Sequence, residues 1–450
     1  MTATIAHTST LRRTLGVGFG VAVAVGSMIG AGILRSPADV ATQLPLPVLF
    51  LTAWAIGGVY AMLGANALAE LGTMLPQSGG QYVFVRRALG RYAGFLVGWN
   101  DWLSTCGSIA AVALVFAEAL RFIAPAFASS IVVTATIMVV VITVILWRGV
   151  KESDTAQRFT SAFKAAALLA LVIACVISRA NGTSTIPADA PHLPIAIPVG
   201  FALVAAFLTA LQGIIYSYDG WTGVLYFSEE VRDGGRDIPR SLFLGLIAVI
   251  VIYLLLNAAF LAVLPIQVLA GSPLAAAAAA TAVFGTRGGL LVQILVVIVL
   301  PSAVIANTLM ASRVVFALGR DGEAPRMLSR VNDGGSPGHA LLISSVVAVL
   351  FVLTGAFERV IALCSFLFVA SYTLSFASVF VLRRREPALP RPFRAWGHPW
   401  TTGLVLAGSV AFLFGTVAAD PKTGLVALAL VAVSYPLFRY LSSRAPTTPY

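Results

Sequence analysis

The sequence predicts an all-α polytopic membrane protein with twelve transmembrane helices. Three observations predict it. Of 450 residues, 59% are hydrophobic and only 10% charged, with a mean hydropathy of +0.93. Apolar runs near the ~20 residues needed to cross a bilayer recur along the whole chain. The basic residues sort by connecting segment: taking alternate loops, 22 of the 29 lysines and arginines fall on one side. They include Arg12, Arg13, Arg86, Arg87, Arg91, Arg313, Arg320 and Arg383 to Arg385. The other side has only Arg35, Arg121, Arg179, Arg287, Arg359 and Lys422. By the positive-inside rule this places both termini in the cytoplasm.

The spans are expected near 15–35, 47–70, 93–123, 130–147, 158–178 and 199–228, then 241–264, 289–318, 340–356, 359–382, 401–419 and 423–441. The chain then reads as a cytoplasmic tail (1–14), a first half of five spans (15–178), a second half (199–382), two further helices (401–441) and a cytoplasmic tail (442–450). The net charge of +11 reports this sidedness, so nucleic-acid binding is excluded. Cys106, Cys175 and Cys364 all fall in apolar spans, with neither metal-ligand spacing nor a paired framework. No metal and no cofactor are expected. No cleavable signal peptide is visible, since Arg12 and Arg13 precede a long span without a polar cleavage region.

The first span is interrupted by Gly26-Ser27-Met28-Ile29-Gly30-Ala31-Gly32-Ile33-Leu34. Three glycines weaken a helix by roughly 1 kcal/mol each relative to alanine. Freed backbone groups are tolerated in hydrocarbon only where protein buries them or a cavity wets them. A break between Met28 and Gly32 would turn bare N–H groups and a positive helix end toward an anionic group such as a carboxylate. Close helix packing explains the spacing of Gly26 and Gly30 as well.

Between the second and third spans, Pro76 and Gly79-Gly80 mark a cytoplasmic re-entry loop that leads to the basic stretch Arg86 to Arg91. Asp101 is expected near the membrane entry of the third span, as a solvated cap or a packing hydrogen bond. The fifth span carries Lys164. A lone lysine in hydrocarbon costs on the order of 2.5–3.5 kcal/mol and usually faces a cavity, although snorkelling past Arg158 is the plain alternative. The sixth span contains Tyr216-Ser217-Tyr218-Asp219-Gly220-Trp221-Thr222-Gly223, a second interruption, expected to unwind between Tyr218 and Gly223. An intramembrane carboxylate at Asp219 needs a partner or water. Interrupted spans one and six stand in corresponding positions of two five-span halves. That arrangement suggests a five-plus-five inverted repeat with a ligand site near the midplane. The last two spans have few polar groups and read as scaffold or oligomer contact.

Five stretches in order carry a resemblance. They are Gly26-Ser27-x-Ile29-Gly30-x-Gly32-Ile33; Glu70-Leu71-Gly72 with Pro76-x-Ser78-Gly79-Gly80-x-Tyr82; Gly94-Phe95-Leu96-x-Gly98-Trp99; Tyr218-Asp219-Gly220-Trp221 with Glu229-Glu230-Val231 and Ile238-Pro239-Arg240; and Arg313-x-x-Phe316-Ala317 with Arg320-Asp321-Gly322. Together they resemble the amino acid–polyamine–organocation superfamily, most closely its L-type amino acid transporters and their bacterial relatives. The resemblance covers the first ten spans.

It implies a substrate carboxylate held by backbone N–H groups around Met28, Ile29, Gly30, Ala31 and Gly32, with the Ser27 hydroxyl added. It implies carbonyls of Tyr216, Ser217 and Asp219 at the substrate ammonium, and Tyr216 as an aromatic gate. Tyr218 and Trp221 complete the expected substrate-binding set. Gln157-x-Phe159-Thr160-x-x-x-Lys164 is similar to a fifth-span motif whose lysine stands where sodium-coupled relatives bind a cation, and Tyr253 matches a tyrosine beside it. Two departures bear on substrate size: Ala31 replaces a common serine, and Leu34 a common aromatic.

The function expected is secondary active transport of neutral amino acids by sodium-independent exchange across a plasma membrane, of the bacterial inner-membrane kind. The alternative is a proton-coupled amino acid or polyamine carrier of the same superfamily. An enzyme is disfavoured because His7, His192, His339 and His398 all lie in tails or loops. A channel is disfavoured because no ring of like charge or repeated filter appears. The lipid bilayer and an amino acid are the expected partners, to a monomer or homodimer. No external-loop cysteine lies between spans three and four, so no disulfide-linked heavy subunit is expected.

Overall fold

The computed structural model describes residues 16–77, 79–126, 130–148, 154–186, 196–332 and 337–444. All of the predicted N-terminal tail, most of the C-terminal one, Ser78, Lys151, His192 and the side chains of Gln157, Arg158, Glu229 and Glu230 lie outside the described residues. Sixteen α-helices and two 3-10 stretches, with no strand, make up the described secondary structure.

The first predicted span is two helices. α1 (Val17–Met28) ends where Ile29 turns extended (φ −76°, ψ 95°), and α2 (Ala31–Gln43) restarts after Gly30 at a bend of 44°. The break is therefore shorter than the Met28–Gly32 interval expected, because Ala31 and Gly32 already belong to α2. The span also runs on to Gln43, beyond the expected residue 35. Arg35, Ser36, Pro37 and Asp39 end the apolar run without ending the helix, because α2 turns Ser36 and Pro37 into protein and keeps Arg35 for an ion pair.

α3 (Pro47–Met74) forms span two, and α4 (Gln81–Leu89) is a short helix within the expected re-entry loop. α5 (Arg91–Ile123), α6 (Ile131–Trp147) and α7 (Asp154–Ala180) follow. The sixth span is α8 (Phe201–Tyr218), a two-residue break at Asp219 and Gly220, and a 3-10 stretch, Trp221–Glu230. Gly220 has φ +106°, a left-handed backbone that favours glycine, and a Cβ there would lie 2.8 Å from Ser27 Cβ. The two breaks thus touch each other.

α9 (Gly234–Val263) forms span seven, and two short helices, α10 (Ile266–Ala270) and α11 (Ala275–Phe284), precede α12 (Thr286–Arg320). The second 3-10 stretch, Arg326–Ser329, leads to α13 (Gly338–Val352) and α14 (Phe357–Arg385). α15 (Trp400–Ala419) and α16 (Pro421–Arg444) close the chain. Among the described residues, nine helices and the bent α1–α2 pair are long and apolar enough to cross a membrane. Predicted spans four and nine coincide with the shorter apolar helices α6 (17 residues) and α13 (15 residues).

Behind the breaks, Trp54 of α3, Tyr218 of α8 and Tyr253 of α9 form a buried aromatic triangle with ring centroids 5.1–6.0 Å apart. Such pairs add roughly 0.5–1.5 kcal/mol each beyond their burial, so packing holds this wall while the broken backbones in front of it lack helical hydrogen bonds. α15 and α16 pack outside, pinned where Tyr60 meets Ser409 Oγ at 2.8 Å and Trp99 Nε1 donates to the Leu430 carbonyl at 2.9 Å.

Candidate substrate-binding site

An α-helix leaves its last carbonyls without intrahelical donors, and two breaks in one protein interior multiply that deficit. Side chains meet it here. Beyond Ile29, whose N–H still bonds the Val25 carbonyl at 2.9 Å, no helical donor remains for Gly26 or Met28. Lys164 Nζ lies 3.5 Å from the Gly26 carbonyl, and one turn earlier Ser161 Oγ donates to Ala22 at 2.8 Å. The hydroxyl of Tyr253 lies 2.6 Å from the Met28 carbonyl and 3.0 Å from that of Ser217. Lys164 is buried, so it contacts the first break and does not snorkel.

In front of the breaks is a cavity of about 60 Å³. This is space for a few water molecules or a small ligand. Of the residues expected from sequence, Ser27, Met28, Gly30, Ala31, Gly32, Tyr216 and Asp219 border it. The remaining four stand behind that wall. Ile29 is buried against the core. Ser217 is buried with its hydroxyl on the Gly213 carbonyl and its own carbonyl facing Tyr253, so that carbonyl is engaged by the protein. Tyr218 donates to the Trp54 carbonyl at 3.3 Å. Trp221 packs on Tyr372, with ring centroids 5.3 Å apart. Leu34 packs against the core and is not on the cavity wall.

Two carboxylates reach the cavity. Asp219 Oδ1 accepts a hydrogen bond from the Tyr372 hydroxyl of α14. Asp101 Oδ2 accepts from the Tyr226 hydroxyl at 2.7 Å. Asp101 makes a packing hydrogen bond as the sequence suggested, and ten residues into α5 it borders the same cavity as the two helix breaks. Asn307 of α12 and Ser371 of α14 also border the cavity, and sequence reasoning missed both. The available signal was a polar side chain within an apolar span, the same one that marked Lys164.

The ends of the cavity differ. Toward the end bearing Arg35, Tyr216 meets Phe357 edge-on at 6.0 Å, the Arg35 guanidinium lies over that ring, and Arg35 pairs with Glu358 at 2.6 Å. Toward the arginine-rich end, Tyr226 and Met310 are shared with a second cavity of about 280 Å³ that reaches Arg313 and Arg320. One end is sealed in aromatic and ionic layers, while the other continues toward the surface.

Broken helices around a small polar cavity in a bundle of membrane-crossing helices define a multi-pass membrane transporter. The comparisons give its family. A sequence model described as amino acid permease matches residues 20–435, and the chain belongs to that family. It is 28% identical over 403 residues to the b(0,+)-type amino acid transporter 1 of Oryctolagus cuniculus, covering 86% of this chain and 79% of that protein. It is 24% identical over 442 residues to the serine/threonine exchanger SteT of Bacillus subtilis, covering 96% and 98%. An uncharacterized transporter of Mycobacterium tuberculosis is 30% identical over 440 residues, covering 97% and 94%. The protein is a transporter of amino acids, not an enzyme.

Proposed function

We propose that the protein exchanges amino acids across a bacterial inner membrane without sodium, by alternating access around the two helix breaks. The observation that carries this is the placing of Gly30 to Gly32, at the start of α2, and of Asp219 on one cavity, with Lys164 and Tyr253 behind them. The N–H groups that open α2 suit a carboxylate, and Asp219 suits an ammonium. Ser27, Met28, Gly30, Ala31, Gly32, Tyr216 and Asp219 are the proposed contacts, with Ile29, Ser217, Tyr218 and Trp221 as their backing.

The Lys164 ammonium beside the Gly26 carbonyl would do the work of a bound cation, which supports sodium independence. Lys164 contacts a carbonyl, and among the described residues it forms no ion pair, which favours exchange over proton coupling. Val112, Met310 and Phe368 give the cavity apolar surface suited to neutral side chains. We assign residues 15–178 and 199–382 as the inverted halves, the arginine-rich end as cytoplasmic with both termini on that side, and a monomer or homodimer without a disulfide-linked subunit. All three cysteines are buried, in keeping with that last point.

Counterflow tests the function. Purified protein in proteoliposomes loaded with unlabelled amino acid should accumulate labelled amino acid faster than empty vesicles, equally in sodium and in choline buffer. Uptake indifferent to internal substrate would overturn exchange, and a sodium requirement would overturn the role given to Lys164.

A further inference from the structure

The exchange reading uses one carboxylate of the cavity, and the cavity has two. Asp101 and Asp219 border the same small cavity. Among the described residues, no lysine, arginine or histidine lines the space. One polar group there lacks a partner: Ser371 Oγ borders the cavity, is buried, and makes no hydrogen bond among the described residues. Buried charges and buried hydroxyls are costly until something pairs with them.

Charge counting then separates substrates. A neutral amino acid brings one ammonium and one carboxylate. Its carboxylate takes the N–H groups at the start of α2, its ammonium answers Asp219, and Asp101 remains unneutralised. An amino acid with a cationic side chain brings the missing charge. Tyr226 already satisfies Asp101 Oδ2, so a ligand donor would take the other lone pairs of that carboxylate, with Ser371 as a further acceptor.

We propose that Asp101, together with Ser371, forms a side-chain subsite for an ammonium or guanidinium group, making Asp101 the residue that extends the substrate range to cationic amino acids. The proposal rests on the exchange reading and goes beyond the neutral substrates expected from sequence.

Isosteric pairs isolate the charge: lysine against 2-aminoheptanoic acid, and arginine against citrulline, as competitors of counterflow by the protein in sodium-free buffer. The expected result is that each cationic member competes at least about tenfold better than its neutral isostere, the weight of one charge-assisted hydrogen bond. That ratio should fall about tenfold in Asp101→Asn, recover in Asp101→Glu, and fall by a smaller factor in Ser371→Ala. A wild-type ratio of one or less overturns the proposal without any variant, as does an unchanged ratio in Asp101→Asn. A sodium requirement that disappears in Asp101→Asn would assign the subsite to an inorganic cation and also overturn it. Failure of this proposal leaves counterflow itself intact, whereas absence of counterflow with every amino acid removes the exchange reading and this proposal together.

Discussion

The hydroxyl of Tyr253 reaches the carbonyl of Met28 at 2.6 Å, and the same oxygen is 3.0 Å from the carbonyl of Ser217. One side chain of α9 therefore bridges the ends of α1 and α8, so the two broken helices are coupled through a single proton donor. Tyr253→Phe keeps the ring in its aromatic triangle and removes only that donor. Leaving buried carbonyls unpaired costs about 1–3 kcal/mol. The expected outcome is a thermal midpoint lowered by a few degrees and counterflow slowed severalfold with normal expression, read by melting in detergent and by transport. Wild-type turnover would show that the bridge is dispensable.

Two glycines of the first break should respond differently to a methyl group. A Cβ on Gly30 would meet no atom within 4 Å, whereas one on Gly32 would lie 2.7 Å from Ser217 Cα. Gly30 borders the cavity, so Gly30→Val should assemble in the membrane yet lose amino acid uptake, the added side chain taking the space of the carboxylate. Gly32→Ala should instead separate α2 from α8 and lower stability, with aggregation on size-exclusion chromatography. Normal affinity in Gly30→Val would return that glycine to a packing role.

Most of the helical architecture is legible in the sequence because hydrocarbon imposes long apolar runs, and the breaks are legible because glycine beside polar residues contradicts such a run. Local polarity carries no information about partners across the bundle. Arg35 and Asp39 look like the end of a span, yet α2 continues through them because Arg35 finds Glu358 more than 300 residues away. Asp101 looks like a solvated entry residue until Tyr226, 125 residues on, is seen to donate to it. Ser217 looks like a free ligand carbonyl, and the fold brings the Tyr253 hydroxyl to it. Each of these depends on a long-range contact that only the fold supplies.

Glu70 of α3 carries a stability prediction. It is buried, and it receives Arg383 at 2.8 and 2.6 Å and the Ala395 N–H at 2.7 Å, while Arg391 Nε lies 3.4 Å away. The cluster ties the segment that leaves α14 back onto α3. Removing one partner of a buried ion pair strands the other charge and costs about 3–5 kcal/mol. Glu70→Gln should therefore lower the melting temperature more than any substitution in the cavity, and Arg383→Gln should do the same. A double variant less damaging than the sum of the singles would confirm that the residues act as one unit. A melting temperature within a degree of wild type would refute the role.

The last prediction concerns Lys164, whose Nζ stands 3.5 Å from the Gly26 carbonyl while the neighbouring Ser161 hydroxyl holds Ala22 at 2.8 Å. α7 thus grips α1 at two successive turns, once with a neutral donor and once with a charge. If Lys164 is a fixed cation holding the end of α1, then Lys164→Ala should slow turnover at least about tenfold, since a carbonyl at the break loses its charged donor. Lys164→Arg should restore part of the rate. Ser161→Ala should cost less, because the Ala22 carbonyl keeps its helical partner within α1. Counterflow by the wild type should also vary little between pH 6 and 8, as a permanently charged group requires. A Lys164 that is neutral in one state and protonated in the other would instead make transport follow an imposed proton gradient. Full activity in Lys164→Ala would show that the grip is incidental to transport.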